Sequence, residues 1–206
     1  AEYETKAEQA ISELPTWSEG NVIKTIASEI QRDTALFISS SRPIRDFESF
    51  STPRSGVVTY ANRGLAGIDG NVSTAMGIAT FHEETYAVLG DLAFLHDLSA
   101  LAQPTKDPLT LIVIDNDGGG IFSTLPQRGV EGFEKIFGTP HGQDLAKIVA
   151  GFGISHEVVA SVEELKVAMR RVHPAFHTII AKMPDRESNA QTIESVLAKY
   201  RELVAL

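Results

Sequence analysis

LTLIVIDNDGGG, residues 109–120, decides the fold. Its first six residues, Leu109–Ile114, are apolar or β-branched at consecutive positions rather than alternate ones. That pattern predicts a strand buried on both faces, as in a parallel sheet covered by helices on each side. The six residues that follow are acids, an amide and glycines, so the strand should end in a polar turn where the backbone is free to bend.

Reading outward from this strand, further short apolar runs predict strands at Thr34–Ile38, Gly56–Tyr60, Thr85–Leu89, Ile154–Val159 and Phe176–Ala181. Between them lie segments with helical spacing. Val22, Ile23, Ile26, Ala27 and Ile30 share one face, and helices are expected at Arg42–Phe50, Asn71–Phe81, Leu92–Leu101 and Asp144–Phe152. Ser161 and Glu164 form a capping box before Leu165, Ala168 and Val172. Ile193, Val196, Leu197, Tyr200, Leu203 and Val204 line a C-terminal amphipathic helix. Helix and strand alternate about six times. The expected fold is α/β: three layers, doubly wound, with a mostly parallel sheet of about six strands and helices on both faces. Residues 1–17 lack a sustained apolar period and read as a linker remnant, leaving 18–206 as the domain.

The composition narrows the function. The 206 residues are 43% hydrophobic and 22% charged, which suits one domain with a sizeable core. No cysteine is present, so thiol nucleophiles, disulfides and Cys-ligated metals are excluded. The net charge is −9 with basic residues scattered, the opposite of a nucleic-acid-binding patch. No apolar run is long enough to span a membrane and the N-terminus is unlike a signal peptide, so a cytoplasmic location is expected.

In open parallel sheets, ligands bind at the carboxyl ends of the strands. Those ends carry Ser39–Ser41 with Arg42 and Arg45, then Asn62–Gly64 through Gly67 and Gly70, then Gly90-Asp91, then Asp115–Gly120. Asp91 and Asn116, with a backbone carbonyl near Gly118, offer the oxygen ligands that a hard cation such as Mg²⁺ takes while keeping places for phosphate oxygens. Glycines let the backbone approach, and the helix expected from Leu92 offers free amides to an anion. The same residues also suit a helix cap at Asp91 and a plain turn at DNDGGG, and spacing alone does not choose between the readings. Gly64, Gly67 and Gly70 have the wrong spacing for a dinucleotide loop. His82-Glu83 lacks the second histidine of a zinc protease, and neither a P-loop nor a G-x-S-x-G elbow occurs. The six histidines show no ligand spacing, and only His141, in the long glycine-rich loop 118–143, is singled out.

Gly90-Asp91 followed 25 positions later by Asn116 resembles the GDG…NN signature of thiamine-diphosphate enzymes. More narrowly, NRGLAGIDG (62–70), GDLAFLHDL (90–98), NDGGGIF (116–122) and FGTPHG (137–142) look like the 2-succinyl-5-enolpyruvyl-6-hydroxy-3-cyclohexene-1-carboxylate synthase family of menaquinone biosynthesis. The resemblance covers about residues 18–206.

The resemblance implies thiamine diphosphate and Mg²⁺ (or Mn²⁺) as cofactors, with Asp91, Asn116 and the Gly118 carbonyl as metal ligands. It implies cofactor contacts at Ser41, Gly90, Leu92 and Gly119, with Ile68 as the apolar wedge under the bent cofactor. Substrate contacts are implied for Arg45, Arg63, Ile121, Phe122 and Leu125. The chain departs from the general signature at Leu92, which agrees with this subfamily, and at Asp115, which adds a charge where the first Asn stands.

The reaction implied is decarboxylation of 2-oxoglutarate and addition of the succinyl unit to isochorismate, in a homodimer or homotetramer. The activating glutamate is expected in a pyrimidine-binding domain which, like the central domain, does not fit into 206 residues. The chain by itself is therefore expected to be folded but inactive. It should expose apolar surface around Ile68, Ile121 and Phe122, with the 118–143 loop mobile. The alternatives are another thiamine-diphosphate enzyme of the acetolactate synthase type, or a non-catalytic binding or assembly module.

Overall fold

The computed structural model describes every residue except 1, 53, 174 and 206. Six strands, β1 (Thr34–Ile38), β2 (Val57–Tyr60), β3 (Thr85–Gly90), β4 (Leu109–Asp115), β5 (Ser155–Val159) and β6 (His177–Lys182), form one sheet in the order β2-β1-β3-β4-β6-β5. Every pairing is parallel, so the expected mostly parallel sheet is wholly parallel among the described residues. The central register runs from Thr85 opposite Leu109 to Gly90 opposite Ile114. All seven residues of β4 are buried, as its unbroken apolar run requires.

Successive side chains of a strand point to opposite faces, so each strand feeds two cores. On one face Leu36, Ile38, Val88, Ile112, Ile114 and Ile179 meet helices α2 (Glu19–Glu29), α3 (Arg42–Phe50) and α7 (Val162–Met169). On the other, Phe37, Ala87, Leu89, Leu111, Val113 and Ile180 meet α4 (Asn71–Ala79), α5 (Asp91–Leu95) and α6 (Leu145–Gly151). Each fully buried Leu, Ile or Phe contributes roughly 1.5–3 kcal/mol. α2 starts at Ser18, whose hydroxyl accepts from the Asn21 N–H. α7 starts at Ser161, whose hydroxyl accepts from Glu164 N–H, while the Glu164 carboxylate accepts from Ala160 N–H, one residue before the position a strict capping box uses.

Four expectations change, the simplest being Val172, which lies beyond the end of α7 and is exposed rather than on its buried face. The linker reading of residues 1–17 gives way over Glu2–Ile11 to a helix, α1, packed along the C-terminal helix α8 (Arg186–Ala205). Its residues are good helix formers with a Glu2–Lys6 ion pair at 2.9 Å, so propensity and docking form it without an apolar period. The single helix expected over Leu92–Leu101 is broken into α5 and a 3₁₀ turn at Leu98–Ala102. The cause is Asp97, whose carboxylate accepts from both Ser73 N–H (2.7 Å) and Ser73 Oγ (3.0 Å). It thereby caps α4, whose own N-cap is a side-chain-less glycine, Gly70. On α8 the expected stripe is only half-buried against its surroundings, and Leu197 is exposed.

The chain runs outward from β1 to β2, then returns to lay β3 on the other side of β1. That reversal opens a crevice at the carboxyl ends of β1 and β3. A second reversal puts β6 between β4 and β5.

Candidate functional site

A cavity of about 320 Å³ lies at the first crevice. It gathers Ser41, Arg45, Arg63, Ile68, Gly90, Asp91, Leu92, Asn116, Gly118, Gly119, Ile121 and Phe122, which are twelve of the thirteen residues expected at the site. Leu125 is the exception: it follows the 3₁₀ turn Phe122–Thr124, is exposed, and does not line the cavity. A larger cavity of about 990 Å³ sits at the second reversal. Its cations are taken up by carboxylates: Arg128 by Glu187 and Glu194, Arg186 by Glu134, and Lys182 by Asp115.

Asp91 is buried at the end of β3 and acts as a clamp. One carboxylate oxygen accepts from the Leu92 N–H at 2.6 Å. The other accepts from Asn116 N–H at 3.2 Å and Gly118 N–H at 2.9 Å, so it holds the turn after β4 against the end of β3. The turn reading of DNDGGG is therefore part of the structure, but it leaves one group unexplained. Asn116 is buried, its Nδ2 donates to Oε1 of Glu19 at 2.7 Å, and its Oδ1 has no hydrogen-bond partner among the described residues. A buried amide oxygen without a donor costs about 1–3 kcal/mol. A hard cation satisfies such an oxygen, and an amide oxygen beside a carboxylate is the donor set it selects. The residues present therefore fit a divalent cation.

Glycines make the cradle. At Gly118, with φ +130°, an added Cβ would stand 2.2 Å from the Gly138 carbonyl oxygen. At Gly119 it would stand 2.2 Å from that of Phe137. The two loops touch backbone to backbone, joined by a hydrogen bond from Gly119 N–H to Gly138 O at 2.7 Å. Two non-glycine residues with left-handed backbone, Ser41 (φ 77°) and Asp117 (φ 61°), flank the site. Such strain persists only where surrounding contacts hold it, commonly at functional sites. The 118–143 loop also carries an aromatic cluster of its own, Phe122, Phe133 and Phe137, with ring centroids 5.3 and 6.0 Å apart.

Five acids could repel an anion here, and each is countered or neutralised. Asp115, the departure from the usual Asn, pairs with Lys182 Nζ at 2.9 Å across β4 and β6. His141 lies 3.3 Å from Asp91, and that hydrogen bond raises its pKa above the ordinary value against the opposing effect of partial burial. Asp117 accepts from the His141 and Gly142 N–H groups. Burial pushes the Glu19 carboxyl up to about 7, helped by nearby Asp46. Asp46 is itself pushed up to about 6 by burial, although Arg42 pulls the other way through a direct ion pair.

Arg45 and Arg63 line the mouth of the cavity and are exposed, and neither is ion-paired with a carboxylate among the described residues. Arg45 Nη1 donates to the Ser41 carbonyl at 2.7 Å. Ile68, Ile121 and Phe122 are half-buried beside them, and Leu65 is 92% exposed nearby in sequence.

Residues 44–180 match the family of thiamine pyrophosphate enzymes through its C-terminal TPP binding domain. The chain belongs to that family. As a TPP-binding domain it is 42% identical over 170 residues to the 2-succinyl-5-enolpyruvyl-6-hydroxy-3-cyclohexene-1-carboxylate synthase of Saccharopolyspora erythraea, covering 79% of this chain and 31% of that protein. It is 37% identical over 209 residues to the synthase of the same name from a Synechococcus species, covering 98% of this chain and 35% of that one. The chain thus spans about a third of the length of these curated relatives. Among solved structures, a thiamine diphosphate-dependent 4-hydroxybenzoylformate decarboxylase of Rhodococcus jostii superposes with a TM-score of 0.70 at 18% identity. That match covers 84% of this chain and 34% of that one, and shows the shared fold.

The TPP-binding domain also brings in residues that sequence reading missed. Glu19 comes from the first turn of α2, 97 positions before Asn116, and nothing in its local pattern marks it. Asp46, one turn after Arg42 on α3 and paired with it, is buried beside the cavity, a place the sequence analysis did not assign it. Lys182 was hidden at the end of β6, although the charge of Asp115 called for a partner.

Proposed function

We propose that this domain holds the diphosphate of thiamine diphosphate through a Mg²⁺ ion, with Mn²⁺ as an acceptable substitute. Asp91, Asn116 and the Gly118 carbonyl are the ligands on this reading. The observation that carries it is the buried, unpartnered Asn116 Oδ1 beside Asp91. The Gly118 carbonyl already accepts from Gly120 N–H at 2.9 Å and keeps a second lone pair. Gly90, Leu92 and Gly119 bring backbone close to the diphosphate, and Ser41 sits at the rim. Ile68 supports the cofactor from its apolar side.

The domain's likeness to the succinyl-enolpyruvyl synthases supports a whole protein that decarboxylates 2-oxoglutarate and adds the succinyl unit to isochorismate. When bound, thiamine diphosphate supplies the carbon nucleophile and the electron sink. This chain's residues bind and orient. Arg45 and Arg63, without ion pairs among the described residues, present planar forks to substrate carboxylates. Ile121 and Phe122 exclude water from the apolar part of the pocket, with Leu125 at its edge. The proton-moving glutamate belongs to a pyrimidine-binding domain, supplied within a homodimer or homotetramer. No helix among the described residues is long and apolar enough to cross a membrane, and we place the protein in the cytoplasm.

The test is turnover by the intact enzyme of 2-oxoglutarate with isochorismate, against pyruvate alone. Arg63→Ala and Arg45→Ala should each weaken a charge-assisted contact worth roughly 1.5–3 kcal/mol, lowering kcat/KM about 10- to 100-fold. Turnover of pyruvate alone would favour an acetolactate synthase-type enzyme. Unchanged kinetics in both variants would make the arginines structural.

A further inference from the structure

A second cluster of metal-ligating side chains lies at the other end of the sheet. His177 opens β6 and Glu157 sits in edge strand β5. His173 belongs to the connection between α7 and β6. Because the strands are parallel, the start of β6 lies at the edge opposite the cofactor cavity. One donor atom from each of the three residues lies within 4.8 Å of the others. We propose that Glu157, His173 and His177 form a metal site for zinc(II) or a similar borderline divalent ion, separate from the cofactor site.

Four observations carry this. First, His177 is 4% exposed, and its Nε2 and Glu157 Oε1 are both buried without a hydrogen-bond partner among the described residues. Second, those atoms stand 3.4 Å apart. That is longer than the roughly 2.7–3.2 Å of an N–H···O hydrogen bond. It matches the roughly 3.4 Å between two ligands of one tetrahedral zinc with bonds of about 2.0–2.2 Å.

Third, the outer atoms are already fixed in the way metal ligands are held. His177 Nδ1 is 2.9 Å from the Ser155 hydroxyl, and Glu157 Oε2 accepts from Arg171 at 2.8 Å. His173 Nε2 lies 3.3 Å from the Ala168 carbonyl, an acceptor only, so its other ring nitrogen carries the lone pair. Fourth, the His173 and His177 rings stack at 3.7 Å and 3°, so two imidazoles share one small volume.

Imidazole nitrogens with one carboxylate suit zinc over magnesium, and three protein ligands leave a fourth place for water. Parallel rings do not aim their lone pairs at one point, so binding tilts His173, which lies outside helix and strand. The ion would clip the α7–β6 connection to the sheet edge.

The test uses protein stripped with a chelator and titrated with zinc(II), then with cobalt(II) as a spectroscopic probe of coordination. One equivalent should bind and raise the melting temperature. His173→Ala and Glu157→Gln should each weaken binding by roughly tenfold or more. His173→Ala lies at a half-buried loop position and circular dichroism checks its fold, so the test does not depend on the buried His177. Failure to retain zinc overturns the proposal. So does zinc binding that survives both variants and is lost in His141→Ala, which would assign the ion to Asp91, Asp115 and His141 instead.

Discussion

Replacing Gly118 with alanine attacks the contact that shapes the site. The new methyl group would stand 2.2 Å from the Gly138 carbonyl oxygen and 3.1 Å from that of Thr139, both backbone atoms that cannot swing aside. The backbone at φ +130° adds about 1–2 kcal/mol of strain for any residue with a Cβ. Moving the loops apart loses the Gly119–Gly138 hydrogen bond, about 1 kcal/mol, and stretches the contact from Gly118 N–H to Asp91, worth about 1.5–3 kcal/mol. The sum is about 3.5–6 kcal/mol, which for a chain of this size lowers Tm by roughly 7–24 °C.

Two companion variants separate the causes. Gly129→Ala has a positive φ of +80° with nothing within 4 Å, so it isolates strain at about 1–2 kcal/mol. Gly119→Ala has an ordinary φ but would meet Phe137 O at 2.2 Å, so it isolates the clash. Thermal melts should rank Gly129→Ala as the mildest and Gly118→Ala as the most severe. A Gly118→Ala protein that melts as high as Gly129→Ala would refute the close-packed cradle.

Two further outcomes follow from burial. Asp46 has a folded pKa of about 6 against the ordinary 3.8, so between those values the folded state holds the extra proton and stability falls as pH rises. Relative to Asp46→Asn, the wild-type chain should lose about 2–3 kcal/mol between pH 4 and 7, with Arg42, Arg45 and Glu19 the neighbouring charges; a flat difference in chemical denaturation would show that burial does not hold that proton. Leu111→Ala, at a fully buried position of the central strand, should cost about 2–5 kcal/mol by denaturant titration, and a cost below 1 kcal/mol would contradict a sheet packed on both faces.

Much of this was legible because it is local. β4 announced itself by an unbroken apolar run, and the polar residues after each strand marked one rim once the sheet was read as parallel. What escaped was set by distant partners. The break in the helix after Asp91 depends on Asp97 reaching Ser73, 24 positions away. α1 has no apolar stripe to announce it, and its place is set by docking along α8. Glu19 earns its place only when α2 docks beside the end of β4, and the surplus charge of Asp115 is explained only when β6 brings Lys182 alongside. Leu125 failed for the opposite reason: proximity in sequence to Phe122 suggested a shared wall, and the turn at Phe122–Thr124 carries it out of the cavity.

The central claim is that Asp91 and Asn116 hold a cation that binds the cofactor's diphosphate. The most direct test is calorimetric titration of thiamine diphosphate into the intact enzyme with and without Mg²⁺, for wild type and for Asp91→Asn, with circular dichroism confirming the fold. Saturable binding that requires Mg²⁺ in the wild type and falls at least roughly 100-fold in the variant is the expected result. Equal affinity with and without Mg²⁺, or an unchanged affinity in folded Asp91→Asn, would contradict the account.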